Sequence, residues 1–192
     1  MILNPRWIGV LAGLTLLCDA AFAFDLPEKT QGKTAAGVGT IQVAFAPEDD
    51  TADIIEKAIS AAKNQVLVQA YSFTSRQLAG ALVHAKQRGV DVQLIADREQ
   101  TEKLPYMVAR IAASGAATYI DSQHQSAHNK VMIIDATSAA PVVITGSYNF
   151  TRAAEIKNAE NVLIIRGNKA LTEAYLKNWQ QHRAHSHPYH AP

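Results

Sequence analysis

Between residues 40 and 182, short apolar runs alternate with segments whose apolar residues recur at helical spacing. The run at 131–134 is apolar throughout, which is typical of a strand covered on both faces. Strands that alternate with helices and then cluster together predict an α/β fold. We expect one domain per chain, with a mixed, mostly β-sheet core flanked by helices on both faces. Strands are predicted at 41–45, 65–73, 90–96, 118–120, 131–134, 142–145 and 161–165, and helices at 51–63, 78–88, 102–114 and 169–182.

The composition supports a globular domain with a sizeable core. Of the 192 residues, 48% are hydrophobic and 18% are charged, which excludes wholesale disorder. The formal net charge is +1, so any affinity for nucleic acid must come from a local basic patch. A single cysteine excludes a disulfide scaffold and a cysteine-based zinc finger. The sequence contains no glycine-rich phosphate loop of the Walker type, and we predict no cofactor.

The N-terminal segment has the layout of a bacterial secretory signal peptide. Within residues 1–23, Arg6 precedes an apolar stretch at 7–18, and a small-x-small cleavage site follows. The stretch is shorter than the roughly 20 residues that span a bilayer. An uncut anchor and lipidation at Cys18 are the alternatives, and the leucine before the cysteine disfavours lipidation. We expect cleavage, a periplasmic or secreted protein and no permanent membrane anchor.

The remaining chain divides into three parts. Residues 24–39 are rich in glycine and polar residues and are predicted to be a flexible lead-in. Residues 40–182 form the predicted domain. Residues 183–192 form a tail containing histidine and proline, and four of the seven histidines lie at or beyond His182. The favoured interpretation is a solvated, mobile C-terminus, and a metal-binding tail is the alternative.

Polar residues that suit phosphodiester chemistry surround the two central predicted strands. His128 and Lys130 lie two residues apart, immediately before the strand predicted at 131–134, so both side chains project from one face. Ser147 and Asn149 follow the strand predicted at 142–145 and are also two residues apart. A phosphodiester needs a nucleophile, a cation against the developing negative charge, and neutral donors to its oxygens. Each residue alone has an ordinary structural interpretation, but the full string H-x-K-x4-D, ending at Asp135 and followed by G-S-x-N, is hard to obtain by chance.

This pattern resembles the signature of the phospholipase D superfamily. The single copy is similar to the short, exported, EDTA-resistant endonucleases of bacteria, and the resemblance covers residues 40–182. It implies the phospholipase D/nuclease fold. One departure is the ten-residue segment 136–145 between Asp135 and Gly146, which is longer than is usual in the nuclease branch. We interpret it as a longer hairpin turn that leaves the site intact.

The resemblance implies a role for each of five residues. His128 would attack phosphorus and form a phosphohistidine. Lys130, Ser147 and Asn149 would hold the phosphate oxygens. Glu160 matches the acidic residue that hydrogen-bonds the histidine and sets its tautomer. Outside this family Glu160 would be interpreted as a surface carboxylate.

Four further residues have expected roles outside the catalytic set, and one candidate metal ligand is rejected. Asp135 and Gly146 are interpreted as structural parts of the motif, and Arg152 and Lys157 as substrate-binding cations. His124 lies four residues before the nucleophile and suggests a metal pair, but no H-E-x-x-H carboxylate accompanies it. We therefore predict no metal ligands and activity that survives chelation.

The reaction also needs an acid–base group that protonates the leaving oxygen and later activates water. Larger members of the family carry the motif twice, whereas this chain carries it once. We expect a two-fold homodimer in which His128 of each subunit faces the other, because a C2 interface brings the same residue together from both subunits.

Two substrate classes remain open, together with a third, non-catalytic hypothesis. A nuclease with backbone contacts and no sequence preference is favoured, because basic residues are dispersed along the domain. A secreted phospholipase D acting on lipid headgroups is the alternative, although the predicted helices face the core and only 7% of residues are aromatic. A binding protein without turnover is disfavoured by the intact motif. The basic residues are Arg76, Lys86, Arg88, Arg98, Lys103, Arg110, Arg152 and Lys157.

Overall fold

The computed structural model describes residues 34–190, which contain eight strands and six helices. The signal peptide predicted at 1–23 and most of the lead-in at 24–39 lie outside the described residues. The strands are β1 (Thr40–Ala46), β2 (Gln65–Ala70), β3 (Asp91–Asp97), β4 (Ala117–Asp121), β5 (Lys130–Ile134), β6 (Val142–Gly146), β7 (Glu160–Arg166) and β8 (His187–Pro188). The helices are α1 (Thr51–Ala61), α2 (Arg76–Gln87), α3 (Arg98–Lys103), α4 (Tyr106–Ala113), α5 (Arg152–Ile156) and α6 (Lys169–His185).

All eight strands form one mixed sheet in the order β1-β7-β6-β5-β2-β3-β4-β8. The β2–β3 and β3–β4 pairs are parallel, and helices connect these strands as a parallel arrangement requires. The β5–β6 and β6–β7 pairs are antiparallel, with Val131 opposite Thr145 in the predicted hairpin. The mixed α/β sheet predicted from the sequence is confirmed.

Helices cover both faces of this sheet. On one face α1, α2 and α4 bury side chains such as Ile55, Leu78 and Ile111. On the other face α6 buries Trp179, whose indole Nε1–H donates to the Val68 carbonyl oxygen at 3.2 Å. The central strand β5 is buried along its whole length, because it is covered from both sides.

Two predicted elements differ from the structure. The helix predicted at 102–114 is divided into α3 and α4, since Pro105 disfavours helical backbone at Leu104, which has φ −138° and ψ 65°. The predicted mobile tail is instead ordered structure through residue 190: α6 continues to His185, and β8 pairs with β4. Within residues 34–190, no helix combines the length and hydropathy needed to cross a bilayer.

The polar residues of the motif lie along one side of the sheet, where several strands begin or end. The register places the end of β1 beside the start of β7, and the end of β6 beside the start of β5. The ends of β2, β3 and β4 follow along the same edge. The residues at or next to these ends are Glu160, Ser147, Lys130, Tyr71, Asp97 and Asp121.

Candidate active site

His128 and Lys130 meet at the start of β5. His128 is exposed, whereas Lys130 is only 8% exposed. The Lys130 Nζ lies 2.8 Å from His128 Nδ1 and also donates to the His128 carbonyl oxygen at 2.7 Å. The Tyr71 ring centroid lies 4.2 Å from that of His128 and 4.9 Å from Lys130 Nζ. The imidazole is thus held between an aromatic ring and an ammonium group, with one side open to solvent.

The burial of Lys130 sets its protonation. Removal from water lowers the pKa of the Lys130 ammonium, and the negative charge of Glu160 partly offsets this effect. A lysine beside a phosphate site must be protonated to stabilise negative charge. Glu160 therefore acts on this site electrostatically.

Ser147 and Glu160 form a second polar group across the ends of β6 and β7. The Ser147 hydroxyl donates to Glu160 Oε2 at 2.6 Å and accepts from the Asn161 amide N–H at 3.1 Å. The Asn158 side chain donates to Glu160 Oε1 at 3.0 Å. A Cβ at Gly146 would lie 2.1 Å from the Asn161 carbonyl oxygen, so only glycine permits this approach of β6 to β7. Gly146 therefore permits the close contact between β6 and β7.

Asn149 lies in the loop after β6, and this loop is hydrogen-bonded to the segment between β2 and α2. The Phe150 carbonyl oxygen accepts from the amide N–H groups of Thr74 and Ser75 at 3.0 and 2.9 Å. Among residues 34–190, no protein group pairs with the buried Asn149 Oδ1. A buried, unpaired amide at a candidate site is a ready partner for a ligand. Rotation of the amide by 180° presents N–H donors in the same place, as a phosphate oxygen requires.

Asp135 lies at the opposite edge of the sheet from His128, as the sequence predicts. Its carboxylate accepts the backbone N–H groups of Lys63, Asn64 and Gln65 at 2.9, 2.7 and 2.9 Å. Burial acts to raise the pKa of this carboxyl, but the three hydrogen bonds outweigh it and hold the pKa below the usual range. Asp135 binds the end of β5 to the turn before β2 and takes no part in the site.

The two predicted substrate cations flank α5. Arg152 begins this helix, Lys157 follows it, and both are exposed. Arg152 and Arg76 line a cleft of about 540 Å³ beside the Asn149 loop. Glu155 also lines the cleft, so its charged side chains sum to one positive charge, which suits an anionic substrate.

One role implied by the resemblance differs from the geometry within one chain. Glu160 contacts Ser147 and Asn158 rather than His128, whose Nδ1 faces Lys130. His124 forms no pair with His128. Its Nδ1 lies 3.0 Å from Asp121 Oδ2 instead.

Sequence reasoning missed two residues that position His128 or the chain beside it. Tyr71 packs on His128, and Asp97 is buried and accepts the Ala127 amide N–H at 2.9 Å, directly before His128. Asp97 also caps α3 through the Gln100 amide N–H. An aspartate that ends an apolar strand was the available signal, but it resembles many turn residues.

An exposed imidazole, a buried lysine and hydroxyl and amide groups on one sheet edge form a phosphodiester-cleaving arrangement. Fold and site together define an α/β phosphodiesterase.

Comparisons with known proteins agree with this class. A family model described as "Cardiolipin synthase, PLD-like domain" matches residues 55–183. A phospholipase D from Rickettsia felis is 35% identical over 144 residues, which are 75% of this chain and 70% of that protein. A mitochondrial cardiolipin hydrolase from Xenopus tropicalis is 30% identical over 115 residues, covering 58% of this chain and 53% of that one. The chain belongs to the phospholipase D superfamily.

Solved structures support the same fold. Nuc from Salmonella typhimurium, a phospholipase D family member, superposes with a TM-score of 0.74 and 36% identity, over 80% of this chain and 100% of that chain. NucT from Helicobacter pylori superposes with a TM-score of 0.67 and 21% identity, over 78% and 99% of the two chains. At that identity NucT bears on the fold alone.

Proposed function

We propose that this phospholipase D superfamily phosphodiesterase is an exported, non-specific endonuclease that cleaves DNA, and RNA where it is available, through a phosphohistidine. The observation that carries this proposal is the exposed His128 beside the buried Lys130 on an open sheet edge, and the cleft lined by Arg76 and Arg152 adds two cations. A long polyanion can lie across an open edge, and cations that contact its backbone bind it without reading sequence. The similarity to Nuc, at 36% identity, points the same way.

The proposed reaction has two steps. A ring nitrogen of His128 attacks phosphorus, the bond to the leaving oxygen breaks, and an acid protonates that oxygen. Water then attacks phosphorus, loses a proton to a base, and releases the phosphate monoester from His128. Lys130 Nζ, Ser147 and Asn149 hold the non-bridging oxygens, and Lys130 leaves His128 Nδ1 as it turns toward the phosphate.

The proposed reaction favours a dimer, because within residues 34–190 of one chain no carboxylate contacts His128 Nδ1. Attack through Nε2 requires the imidazole proton on Nδ1, where a carboxylate normally accepts it. Within the described residues, Lys130 faces Nδ1 and the Glu160 carboxylate is taken by its neighbours. A second copy of the chain would bring the missing carboxylate and the acid–base group.

An apolar patch on the edge strand β1 fits such a partner. Ile41, Val43 and Phe45 are 66%, 50% and 52% exposed and alternate along the strand, so they share one face. Phe45 pairs with Asn161, next to Glu160. An exposed apolar row on an edge strand favours burial against another chain. We propose that the patch contributes to a homodimer interface beside the site.

A phospholipase D activity on lipid headgroups is the second candidate. It is favoured by the exposed Leu104 and Tyr106, which lie beside Arg76 and give a lipid chain an apolar contact. The relatives from Rickettsia are named phospholipase D, which points the same way. The nuclease remains preferred because two arginines line the cleft against one carboxylate, Glu155, which already accepts hydrogen bonds from the Ala52 amide and the Tyr148 hydroxyl.

Plasmid nicking in excess EDTA separates these functions. The wild type should convert supercoiled DNA to nicked and linear forms, and His128→Ala should lose at least about a thousandfold in rate. His84→Ala changes an exposed histidine on α2 and serves as the matched control. Release of headgroups from phospholipid vesicles without DNA cleavage would favour the second candidate. Binding of DNA without turnover of either substrate would contradict both.

Export is tested separately from catalysis. The full chain, expressed in a Gram-negative host, should reach the periplasm or the medium with residues 1–23 removed. A chain lacking those residues should stay in the cytoplasm. Recovery of the uncut protein in the cytoplasm would contradict export.

A further inference from the structure

Four side chains with metal-binding atoms meet where β4 ends and α6 closes over it. We call them the β4–α6 cluster, and their ligand atoms all lie within 4.8 Å of one another. Asp121 ends β4, His124 lies in the loop toward His128, and the other two lie one turn apart on α6. The members of the cluster are Asp121, His124, His182 and His185.

One oxygen of the cluster faces three imidazoles. Asp121 Oδ2 lies 3.0 Å from His124 Nδ1, 2.9 Å from His182 Nδ1 and 3.2 Å from His185 Nε2. Four ligand atoms around zinc, with bonds of about 2.0–2.1 Å in a tetrahedron, lie about 3.3 Å apart. The three oxygen–nitrogen separations are close to this value, and the nitrogen–nitrogen separations are within 4.8 Å, so side-chain movements of an ångström or so would complete the coordination.

The other Asp121 oxygen is held in place by the backbone. Oδ1 accepts the Gln123 amide N–H at 3.1 Å and lies 3.4 Å from the His124 amide nitrogen. Hydrogen bonds of this kind orient ligands at metal sites and strengthen binding. Oδ1 also lies 3.2 Å from His124 Nδ1, so both oxygens face this imidazole, whereas Oδ2 alone faces the other two.

The burial of Asp121 calls for a positive charge. Its side chain is 0% exposed, and among residues 34–190 only histidines form ion pairs with it. The nearby Arg183 is directed elsewhere, with its guanidinium 3.4 Å from the Tyr119 ring centroid. A buried carboxylate needs a paired cation or a coordinated metal. One protonated imidazole would balance the carboxylate with a single charge, whereas a divalent ion would balance it and also accept the lone pairs of all three imidazoles.

We propose that the β4–α6 cluster is a structural zinc site. Three imidazole nitrogens and one carboxylate oxygen suit Zn²⁺ in a closed tetrahedral site, and imidazole is a common zinc ligand. On binding, each imidazole gives its lone pair to the metal and keeps its proton on the other ring nitrogen. The site binds the β4–β5 loop, which leads to His128, to the C-terminal end of α6.

This proposal is independent of the proposed nuclease activity. The four ligand groups would fill the coordination sphere, so no position is left for a substrate phosphate. Zinc would therefore act on stability and on the β4–β5 loop. Activity at moderate temperature should persist in EDTA, while the thermal midpoint of unfolding should fall.

Zinc binding by the purified protein tests the site. The chain, prepared without a histidine tag and stripped with EDTA, is titrated with Zn²⁺ against a chromophoric chelator. We expect one zinc per chain, and binding at least about 100-fold weaker in the double variant His182→Gln/His185→Gln. Glutamine keeps a hydrogen-bond donor near Asp121 but is a poor zinc ligand. Zinc should raise the thermal midpoint of the wild type and leave that of the double variant unchanged.

Matched variants locate the bound ion. His187→Gln and His190→Gln change exposed histidines just beyond α6 and should bind zinc as the wild type does. Cobalt bound by the wild type should show the visible absorption of a tetrahedral ion. Equal zinc binding by the double variant, loss of binding in His128→Ala, or no stoichiometric binding by the wild type would each overturn the proposal. If the double variant fails to fold, the zinc stoichiometry of the wild type, its cobalt spectrum and the titration of His128→Ala still decide the proposal.

Discussion

Lys130 combines burial with a charge that the proposed reaction needs, so its protonation should limit activity at high pH. Burial lowers its pKa, and the ammonium is therefore lost at a lower pH than in an exposed lysine. We expect the rate of DNA cleavage to fall on the basic side as pH rises through this lowered pKa. In Lys130→Arg the cation stays charged, so the basic limb should disappear even though the maximal rate drops. The measurement is kcat/KM against pH, with Lys157→Arg as the exposed control.

The charge of Glu160 raises the pKa of Lys130, so it should also raise the pH at which activity falls on the basic side. Removing that charge in Glu160→Gln should shift the limb to lower pH, while Ser147 keeps an acceptor for its hydroxyl. Ser147→Ala leaves the carboxylate in place and should lower the rate without moving the limb. A basic limb that stays fixed in Glu160→Gln would contradict the electrostatic role of this residue.

The convergence of His128, Lys130, Ser147 and Asn149 on one edge could be predicted from sequence. Each pair is two residues apart beside a strand, and the hairpin brings the strand ends together. The partner of Glu160 could not be predicted from spacing alone. It depends on the distance between β6 and β7 at Gly146, where the lack of a Cβ permits close approach. Sequence spacing does not give this distance.

Among the elements, the end of β5 depends on the Asp135 carboxylate. Asp135→Asn should lower the free energy of unfolding by about 1–2 kcal/mol at neutral pH, because three backbone N–H groups lose a charged acceptor. Asparagine also tolerates the positive φ of 48° at this position, so backbone strain adds little. DNA cleavage by the folded protein should remain, since Asp135 lies far from His128 along the sheet. Urea unfolding and plasmid nicking measure the two effects.

The stabilisation by Asp135 should depend on pH in one direction. The folded-state pKa lies below the unfolded value near 3.9, so the contribution is present above about pH 4. It is lost as pH falls through the lower folded-state pKa. The difference in unfolding free energy between wild type and Asp135→Asn should therefore shrink in acid. A difference that stays constant between pH 7 and pH 3 would contradict the ionised carboxylate as its source.

The two misjudged elements have separate physical causes. Pro105 lies within a run of apolar residues at helical spacing, so periodicity predicts one helix where proline makes two. At the C-terminus, histidine and proline are typical of solvated tails. Here Asp121, distant in sequence, gives His182 and His185 a buried partner. Sequence periodicity carries no information on such a pairing.

For the whole molecule, the proposed dimer makes activity depend on protein concentration. If each site takes groups from two chains, the activity per chain should fall as the protein is diluted through the dimer dissociation constant. Val43→Glu places a charge in the exposed apolar row on β1 and should shift that fall to higher concentration, because a buried unpaired carboxylate destabilises an interface. Ala170→Glu adds the same charge at an exposed position on α6 and should behave as the wild type.

Sedimentation velocity and initial cleavage rates on the same samples connect the two properties. The activity of wild type and Val43→Glu should follow the fraction of dimer along one common curve, since the interface acts by completing the site. Full activity per chain in samples that sediment as monomers would overturn the shared site. In that case the acid–base group must come from within one chain, and the carboxylate for His128 Nδ1 would have to be Glu160 after it turns from Ser147.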